Sequence, residues 1–175
     1  MNNLADYIRS IPDFPKPGIL FRDITTLIEN GEGFRQTIDE LAAKSEPLGP
    51  IDVIASPEAR GFVFGAPLAV RLGAGLVLMR KKGKLPGRTV SQQYQLEYGT
   101  DEIHIHEDSV RPGQRVLVID DLLATGGTID GCCRLVESQG GVVVGVGFVI
   151  ELSDLGGREK LAGRNVFSLI SFPGH

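Results

Sequence analysis

The chain has 175 residues, of which 42% are hydrophobic, and a formal net charge of −4. The length suits one domain with a sizeable core, and the mixed charges argue against a broad nucleic-acid surface. No apolar run approaches the roughly 20 residues of a membrane span, and the first residues lack the basic and apolar parts of a signal peptide. Cys132 and Cys133 are adjacent and rarely pair in that arrangement, so we expect reduced thiols in a cytoplasmic protein.

Predicted helices and buried strands alternate along the chain. Residues 4–11 have the spacing of one short helix, and the prolines and glycine of residues 12–18 exclude regular structure. A hairpin is expected from strands near residues 89–98 and 103–106. The remaining predicted helices are 33–45, 62–72, 128–138 and 158–161, and the remaining predicted strands are 51–55, 75–79, 115–119, 142–150 and 166–170.

This alternation predicts an α/β fold with a five-stranded parallel core sheet flanked by helices. Ligands of such sheets bind outside the carboxyl ends of the strands. The proline-rich residues 12–18 belong to neither layer, and we expect them to form part of a small cap over that edge. Residues 82–95 are polar and glycine-bearing, which favours a mobile loop.

The segment from residue 116 to residue 128 carries the clearest chemistry. A buried strand is followed by two carboxylates, a glycine-containing turn and a helix start, whose backbone N–H groups favour a phosphate. Carboxylates accept hydrogen bonds from vicinal hydroxyls such as those of a ribose. A capped strand-turn-helix with no ligand is the alternative, but adjacent strand-end carboxylates are costly unless something uses them. The residues assigned to the 5′-phosphate and ribose are Asp120, Asp121, Ala124, Thr125, Gly126, Gly127 and Thr128.

This segment resembles the motif with which type I phosphoribosyltransferases bind phosphoribosyl pyrophosphate (PRPP). The resemblance implies a parallel core sheet, a variable hood over the base and a flexible loop. It also implies that Mg²⁺ is bound through PRPP, with no direct protein ligands. We therefore treat residues 1–175 as a single phosphoribosyltransferase domain, with a hood at about residues 1–30 and a flexible loop at about residues 82–98.

Other segments resemble the adenine phosphoribosyltransferases of this family, in particular the bacterial ones. The resemblance implies a purine salvage enzyme that transfers phosphoribosyl from PRPP to adenine and yields AMP and pyrophosphate. The implied partners are these small molecules and a second copy in a homodimer, with no nucleic acid and no membrane. The segments that carry the resemblance are 14–24, 58–62, 80–87, 96–99, 154–158 and 172–175.

Basic residues after two strands are assigned to the pyrophosphate. Arg60 opens a helix, where a purely structural arginine would oppose the helix dipole. A basic run is usually a solvated loop, but the run from residue 80 lies at the carboxyl edge of the sheet. The resemblance adds two residues whose peptide bond is a candidate non-proline cis bond. The assigned residues are Glu58, Ala59, Arg60, Arg80, Lys81 and Lys84.

The resemblance assigns the catalytic role to Glu97 and Tyr98. Adenine loses a ring proton as it attacks, and Glu97 is the candidate acid/base. Without the resemblance, Glu97 would be read as an exposed glutamate. We expect Phe21 to stack on adenine opposite Leu152. The resemblance implies that the backbones of Leu20 and Arg22 read the edge of the base, with a carbonyl accepting from the amino group.

Two other functions stay open at this point. One is a phosphoribosyltransferase for another base, such as xanthine. The other is a PRPP-sensing domain of a transcription regulator, although the chain leaves no room for a DNA-binding domain. A plain α/β scaffold does not explain the chemistry clustered at the strand ends.

Overall fold

The structure is a computed structural model that describes residues 3–96 and 98–174. A 3-10 helix at Leu4–Tyr7 leads into β1 (Arg9–Pro12), which pairs antiparallel with β2 (Leu20–Asp23) in a separate two-stranded sheet. The predicted helix over residues 4–11 is therefore wrong beyond Tyr7. Pairing with a strand that is distant in sequence holds this segment extended, and local spacing does not reveal such pairing.

Two helices follow the small sheet. α1 (Thr25–Glu29) was not predicted, and α2 (Gly31–Ser45) begins two residues before its predicted start. The side chain of Asn30 accepts a hydrogen bond from the backbone N–H of Gly33 at 2.8 Å and so caps α2. A short 3-10 helix at Glu46–Leu48 then leads into the main sheet.

The described residues place seven strands in the main sheet, namely β3 (Val53–Pro57), β4 (Gly75–Lys81), β5 (Thr89–Gln95), β6 (Thr100–His106), β7 (Arg115–Leu123), β8 (Val142–Leu152) and β9 (Val166–Phe172). Their order across the sheet is β5-β6-β4-β3-β7-β8-β9. The five neighbours β4-β3-β7-β8-β9 are parallel, which confirms the predicted core. The β5–β6 hairpin extends one edge in antiparallel pairing, so part of the segment predicted as a flexible loop lies in β5.

Helices cover both faces of the parallel sheet. On one face α2 and α3 (Arg60–Leu72) bury Leu41, Phe64 and Leu68 against the strands. On the other face α4 (Gly127–Ser138) buries Leu135. A short helix, α5 (Gly157–Lys160), follows β8. No helix among the described residues is long and apolar enough to cross a membrane.

Candidate active site

A cavity of about 110 Å³ lies where β7 gives way to α4. Gly126 makes the turn with φ of 82°, a left-handed conformation that favours glycine, and directly precedes α4. Gln95 and Leu96 of the hairpin line the same cavity. Six of the seven residues assigned to phosphate and ribose line it, namely Asp120, Ala124, Thr125, Gly126, Gly127 and Thr128. We call residues 124–128 the phosphate loop.

The seventh residue, Asp121, lines a different cavity, because adjacent side chains on β7 point to different sides. Asp121 is buried and accepts a hydrogen bond from Nε of Arg60, and this bond raises the pKa of Arg60. Asp120 accepts a hydrogen bond from the backbone N–H of Asp121 at 2.9 Å. Burial raises the pKa of Asp120 well above its usual value, and the neighbouring charge of Asp121 adds to this shift.

The second cavity, of about 510 Å³, lies between the small N-terminal sheet and the main sheet. Its lining includes all four residues assigned to adenine, and Arg60, Asp121 and Leu122 form its floor. The two cavities share Leu122 and therefore adjoin each other. The four residues are Leu20, Phe21, Arg22 and Leu152.

Two of these four residues have their side chains engaged within the protein. Phe21 packs edge-to-face on Phe14, with ring centroids 5.1 Å apart. The Arg22 guanidinium stacks 4.3 Å from the centre of the Phe172 ring, and its Nη1 donates to Ser10 Oγ at 2.7 Å. Arg22 thus links the small sheet to the end of β9, although its buried Nε has no hydrogen-bond partner among the described residues.

Within the segment of about residues 1–30 that was predicted as the hood, we restrict the name hood from here on to residues 9–25. This part also contains an ion pair. Asp23 accepts hydrogen bonds from the Thr25 side chain at 2.7 Å and from its backbone N–H at 3.0 Å. It also accepts from Nη2 of Arg9 at 2.6 Å. These bonds, with those of Thr25 first, lower the pKa of Asp23 to about 2.

The residues assigned to pyrophosphate come together at the ends of β3 and β4. The Glu58–Ala59 peptide bond is cis, as the resemblance implies. Glu58 Oε1 accepts from the backbone N–H of Lys81 at 2.6 Å and lies 3.4 Å from Nε of Arg80. Nη1 of Arg80 donates to the backbone oxygen of Lys84 at 3.3 Å, and the Lys84 side chain is exposed.

Two residues that the sequence did not single out hold the ammonium of Lys81. Its Nζ donates to Tyr94 Oη at 2.7 Å and to a carboxylate oxygen of Asp101. Burial lowers the pKa of Lys81, but the hydrogen bonds with Asp101 and Tyr94 outweigh it, and the net shift is upward. Tyr94 and Asp101 are cross-strand partners in the hairpin, so only the β5–β6 register could have identified them.

The hairpin also covers the start of α4. A methyl group added at Gly127 would overlap the backbone oxygen of Gln95, and one at Gly131 would lie 2.9 Å from Cβ of Tyr94. Tyr98 lies just beyond β5 and its side chain is 80% exposed. Glu97, assigned to catalysis, lies outside the described residues.

Known proteins resemble this chain over nearly its whole length. The family model of the phosphoribosyl transferase domain matches residues 25–170. Adenine phosphoribosyltransferase from Symbiobacterium thermophilum is 59% identical over 165 residues, which cover 94% of this chain and 96% of that protein. The crystal structure of adenine phosphoribosyltransferase from Thermoanaerobacter pseudethanolicus is 55% identical, with a TM-score of 0.92 and coverage of 97% and 98%. The Saccharomyces cerevisiae enzyme, solved with an imino-altritol bisphosphate and adenine, is 38% identical, with a TM-score of 0.90 and coverage of 95% and 96%.

Proposed function

The chain belongs to the phosphoribosyltransferase family and, within it, to the adenine phosphoribosyltransferases, and we propose that it transfers the phosphoribosyl group of PRPP to adenine, giving AMP and pyrophosphate. The observation that carries this proposal is the pair of adjoining cavities. One is walled by the phosphate loop and the other in part by the hood, and they share Leu122, which directly follows the two carboxylates in the chain. A nucleoside monophosphate has the same order of parts, with its ribose between base and phosphate.

The phosphate loop is proposed to bind the 5′-phosphate through backbone N–H groups at the start of α4 and the hydroxyls of Thr125 and Thr128. The helix dipole adds partial positive charge at that point. Asp120 and Asp121 follow one another between the two cavities, where they are suited to accept hydrogen bonds from the ribose hydroxyls. Together, the fixed donors of the loop and the acceptors on the two aspartates position the anomeric carbon without reorganisation during the reaction.

Pyrophosphate departure leaves positive charge on the ribose and negative charge on the leaving group. The cluster of Glu58, Ala59, Arg80, Lys81 and Lys84 is proposed to receive the pyrophosphate, together with Arg60. Guanidinium groups suit this task because their N–H donors match phosphate oxygens in pairs. Arg60 lines the second cavity and is paired there with Asp121.

The second cavity is proposed to bind adenine, with Phe21 on one face of the base and Leu152 on the other. Backbone groups of Leu20 and Arg22 are proposed to read its edge. A carbonyl that accepts from the exocyclic amino group of adenine would face an oxo oxygen in hypoxanthine. Glu97 is proposed to accept the ring proton, with Tyr98 contacting the reacting groups.

Magnesium is proposed to arrive with PRPP. Mg²⁺ prefers oxygen ligands and commonly combines one or two carboxylates with substrate phosphates and water. Asp120 and Asp121 provide the right donor type, but Asp121 is already paired with Arg60. When bound, the ion would neutralise charge on the pyrophosphate. A cytoplasmic location and a homodimer are part of the same proposal, by resemblance to the family.

The test is an assay of AMP formation from PRPP and Mg²⁺ with adenine, hypoxanthine, guanine and xanthine as separate substrates. We expect adenine to be preferred by about 10⁴ in kcat/KM over hypoxanthine. A preference for xanthine or another base would refute the adenine assignment. PRPP binding without transfer to any base would indicate a PRPP sensor.

A further inference from the structure

The buried carboxylate of Glu151 accepts hydrogen bonds from two residues of neighbouring elements. Glu151, near the end of β8, is 6% exposed and accepts two hydrogen bonds of 2.7 Å, from Nε and Nη2 of Arg158 in α5. Ser168 Oγ of β9 donates to the same carboxylate at 2.6 Å, and Nη1 of Arg158 donates to the backbone oxygen of Val166 at 3.0 Å. The hydrogen bonds with Arg158 lower the pKa of Glu151. The Glu151–Arg158 pair thus ties α5 to two strands of the sheet.

The helix held in this way is in backbone contact with the phosphate loop. A methyl group added at Gly157, the first residue of α5, would overlap the backbone oxygen of Ala124 and come within 2.7 Å of Leu123 Cδ1. From the other side, a methyl group added at Gly126 would come within 3.0 Å of the backbone oxygen of Gly157. The nearest atom on each side is a backbone oxygen, which cannot rotate away as a side chain can, so a shift of α5 passes into the loop.

We propose that Glu151 and Arg158 are positioning residues for the phosphate loop. The pair holds α5 against Ala124 and Gly126, so that the loop keeps its N–H groups aimed at the 5′-phosphate. Neither side chain lines the loop cavity or the base cavity, so their effect passes through the backbone contact at Gly157. This inference rests on the proposed function, because it needs the loop to bind a phosphate.

A matched control exists a few residues further along the chain. Arg164 donates to Glu137 of α4 through Nη1 at 2.5 Å and Nη2 at 3.1 Å. This pair also joins one arginine to one carboxylate through two hydrogen bonds, although it uses Nη1 and Nη2 where Arg158 uses Nε and Nη2. Neither Arg164 nor Glu137 lines the loop cavity, and Glu137 lies near the C-terminal end of α4, away from the loop. Loss of an Arg–carboxylate pair can therefore be compared between the helix that contacts the loop at Gly157 and the far end of α4.

The first experiment measures binding of ribose 5-phosphate and of pyrophosphate by calorimetry, with PRPP kinetics alongside. Arg158→Lys keeps the charge but cannot form two parallel hydrogen bonds to Glu151. A misplacement near 1 Å can cost about 10²-fold, and we expect a smaller shift to weaken ribose 5-phosphate binding about tenfold. KM for PRPP should rise by a similar factor, and the pyrophosphate Kd should stay unchanged. Arg164→Lys should leave all of these quantities unchanged.

The second experiment disturbs the contact between Gly157 and Ala124 and leaves every charge in place. It therefore still tests the inference if the Arg158→Lys variant does not fold. Gly157→Ala inserts a methyl group into the Ala124 contact, and we expect the same selective loss of ribose 5-phosphate affinity. Gly31→Ala is its control, because Gly31 also begins a helix and a methyl group there meets nothing within 4 Å.

Two results would overturn the inference. One is unchanged ribose 5-phosphate affinity in a folded Arg158→Lys variant or, where that variant does not fold, in Gly157→Ala. The other is an equal loss of pyrophosphate and ribose 5-phosphate binding, since that indicates general loosening of the fold. If the unmodified protein itself does not bind ribose 5-phosphate, the assignment of the phosphate loop fails, and the inference fails with it.

Discussion

The phosphate loop and the hood border adjoining cavities but are held in different ways. The loop is enclosed by backbone, with Gln95 against Gly127 on one side and Gly157 against Ala124 on the other. The hood is a separate two-stranded sheet fastened largely through side chains, such as Arg22 on Phe172. Close backbone contacts leave little freedom, whereas half-buried side-chain contacts such as this one exchange more readily. We therefore expect a preformed phosphate site beside a base site that can open.

The largest expected effect tests whether the proton transfer assigned to Glu97 is separate from binding at the phosphate loop and at the hood. Glu97 is the assigned proton acceptor, and Glu97→Gln keeps its shape while removing that capacity. We expect turnover to fall by roughly 10²–10⁴, with little change in adenine affinity. Single-turnover kinetics measure the chemical step. Near-normal turnover in this variant would remove the catalytic role of Glu97 and leave the two binding sites as proposed.

The next effect tests the enclosure of the loop. In Gly127→Ala, the new methyl group would overlap the backbone oxygen of Gln95 and so separate the hairpin from α4. We expect kcat/KM for PRPP to fall about 10²-fold, with the KM for adenine nearly unchanged. Steady-state kinetics with each substrate varied separately provide the measurement. Equal losses for both substrates would mean that the loop and the hood are not independent.

A smaller effect tests the hood, where we expect the KM for adenine to change and the KM for PRPP to stay constant. Phe21→Ala removes the proposed stacking surface, and stacking of a base on an aromatic ring is worth about 1–3 kcal/mol. The KM for adenine should rise accordingly, while the KM for PRPP stays constant. Phe14→Ala is the control, because Phe14 contacts Phe21 but does not line the base cavity. An unchanged KM for adenine in Phe21→Ala would refute the stacking assignment.

The smallest effect concerns the attachment of the hood and its dependence on pH. The pKa of Asp23 is about 2 in the folded chain, against an ordinary value of 3.8. A lowered pKa contributes stability that is present above 3.8 and is lost as the pH falls towards 2. Asp23→Asn should therefore reduce the unfolding free energy by about 1–2 kcal/mol at pH 7 through weakened hydrogen bonds.

Urea unfolding at several pH values measures this effect, and the difference between Asp23→Asn and the unmodified chain should shrink towards pH 2. Asp39→Asn is the control, because Asp39 forms a 3.4 Å pair with Arg71 in which both side chains are exposed. A difference that is independent of pH would contradict the role given to the Asp23 charge.

The phosphate loop and the hood also differ in how far the sequence could predict them. The five parallel strands and the phosphate loop follow from local signals, because apolar runs, acids and glycines lie together in the chain. β1 and β2 could not be predicted in this way, since their pairing joins Ile11 to Phe21 across a proline-rich turn. The strand β7 also continues through Asp120 and Asp121 to Leu123, although its apolar run ends at Ile119.

The residues of the site likewise divide into those found within short sequence motifs and those that only the fold brings together. Short motifs supplied some of the residues that line each cavity, among them the phosphate loop and Phe21. They did not supply Tyr94 and Asp101, which reach Lys81 only through the hairpin register. They also gave no role to Glu151, whose partner Arg158 lies beyond the turn that follows β8. Contacts between separate motifs need a tertiary structure.

The raised pKa of Asp120 has a consequence for the proposed binding of PRPP. In the proposed complex the ribose hydroxyls donate to the charged carboxylate, which favours its ionised form and lowers that pKa. We therefore expect binding to release protons, and the apparent affinity for PRPP to rise with pH until Asp120 is fully ionised in the free protein. Calorimetric titrations in buffers of different ionisation enthalpy would measure the protons released per PRPP bound. Asp120→Asn should abolish the part of that release that arises from this carboxylate.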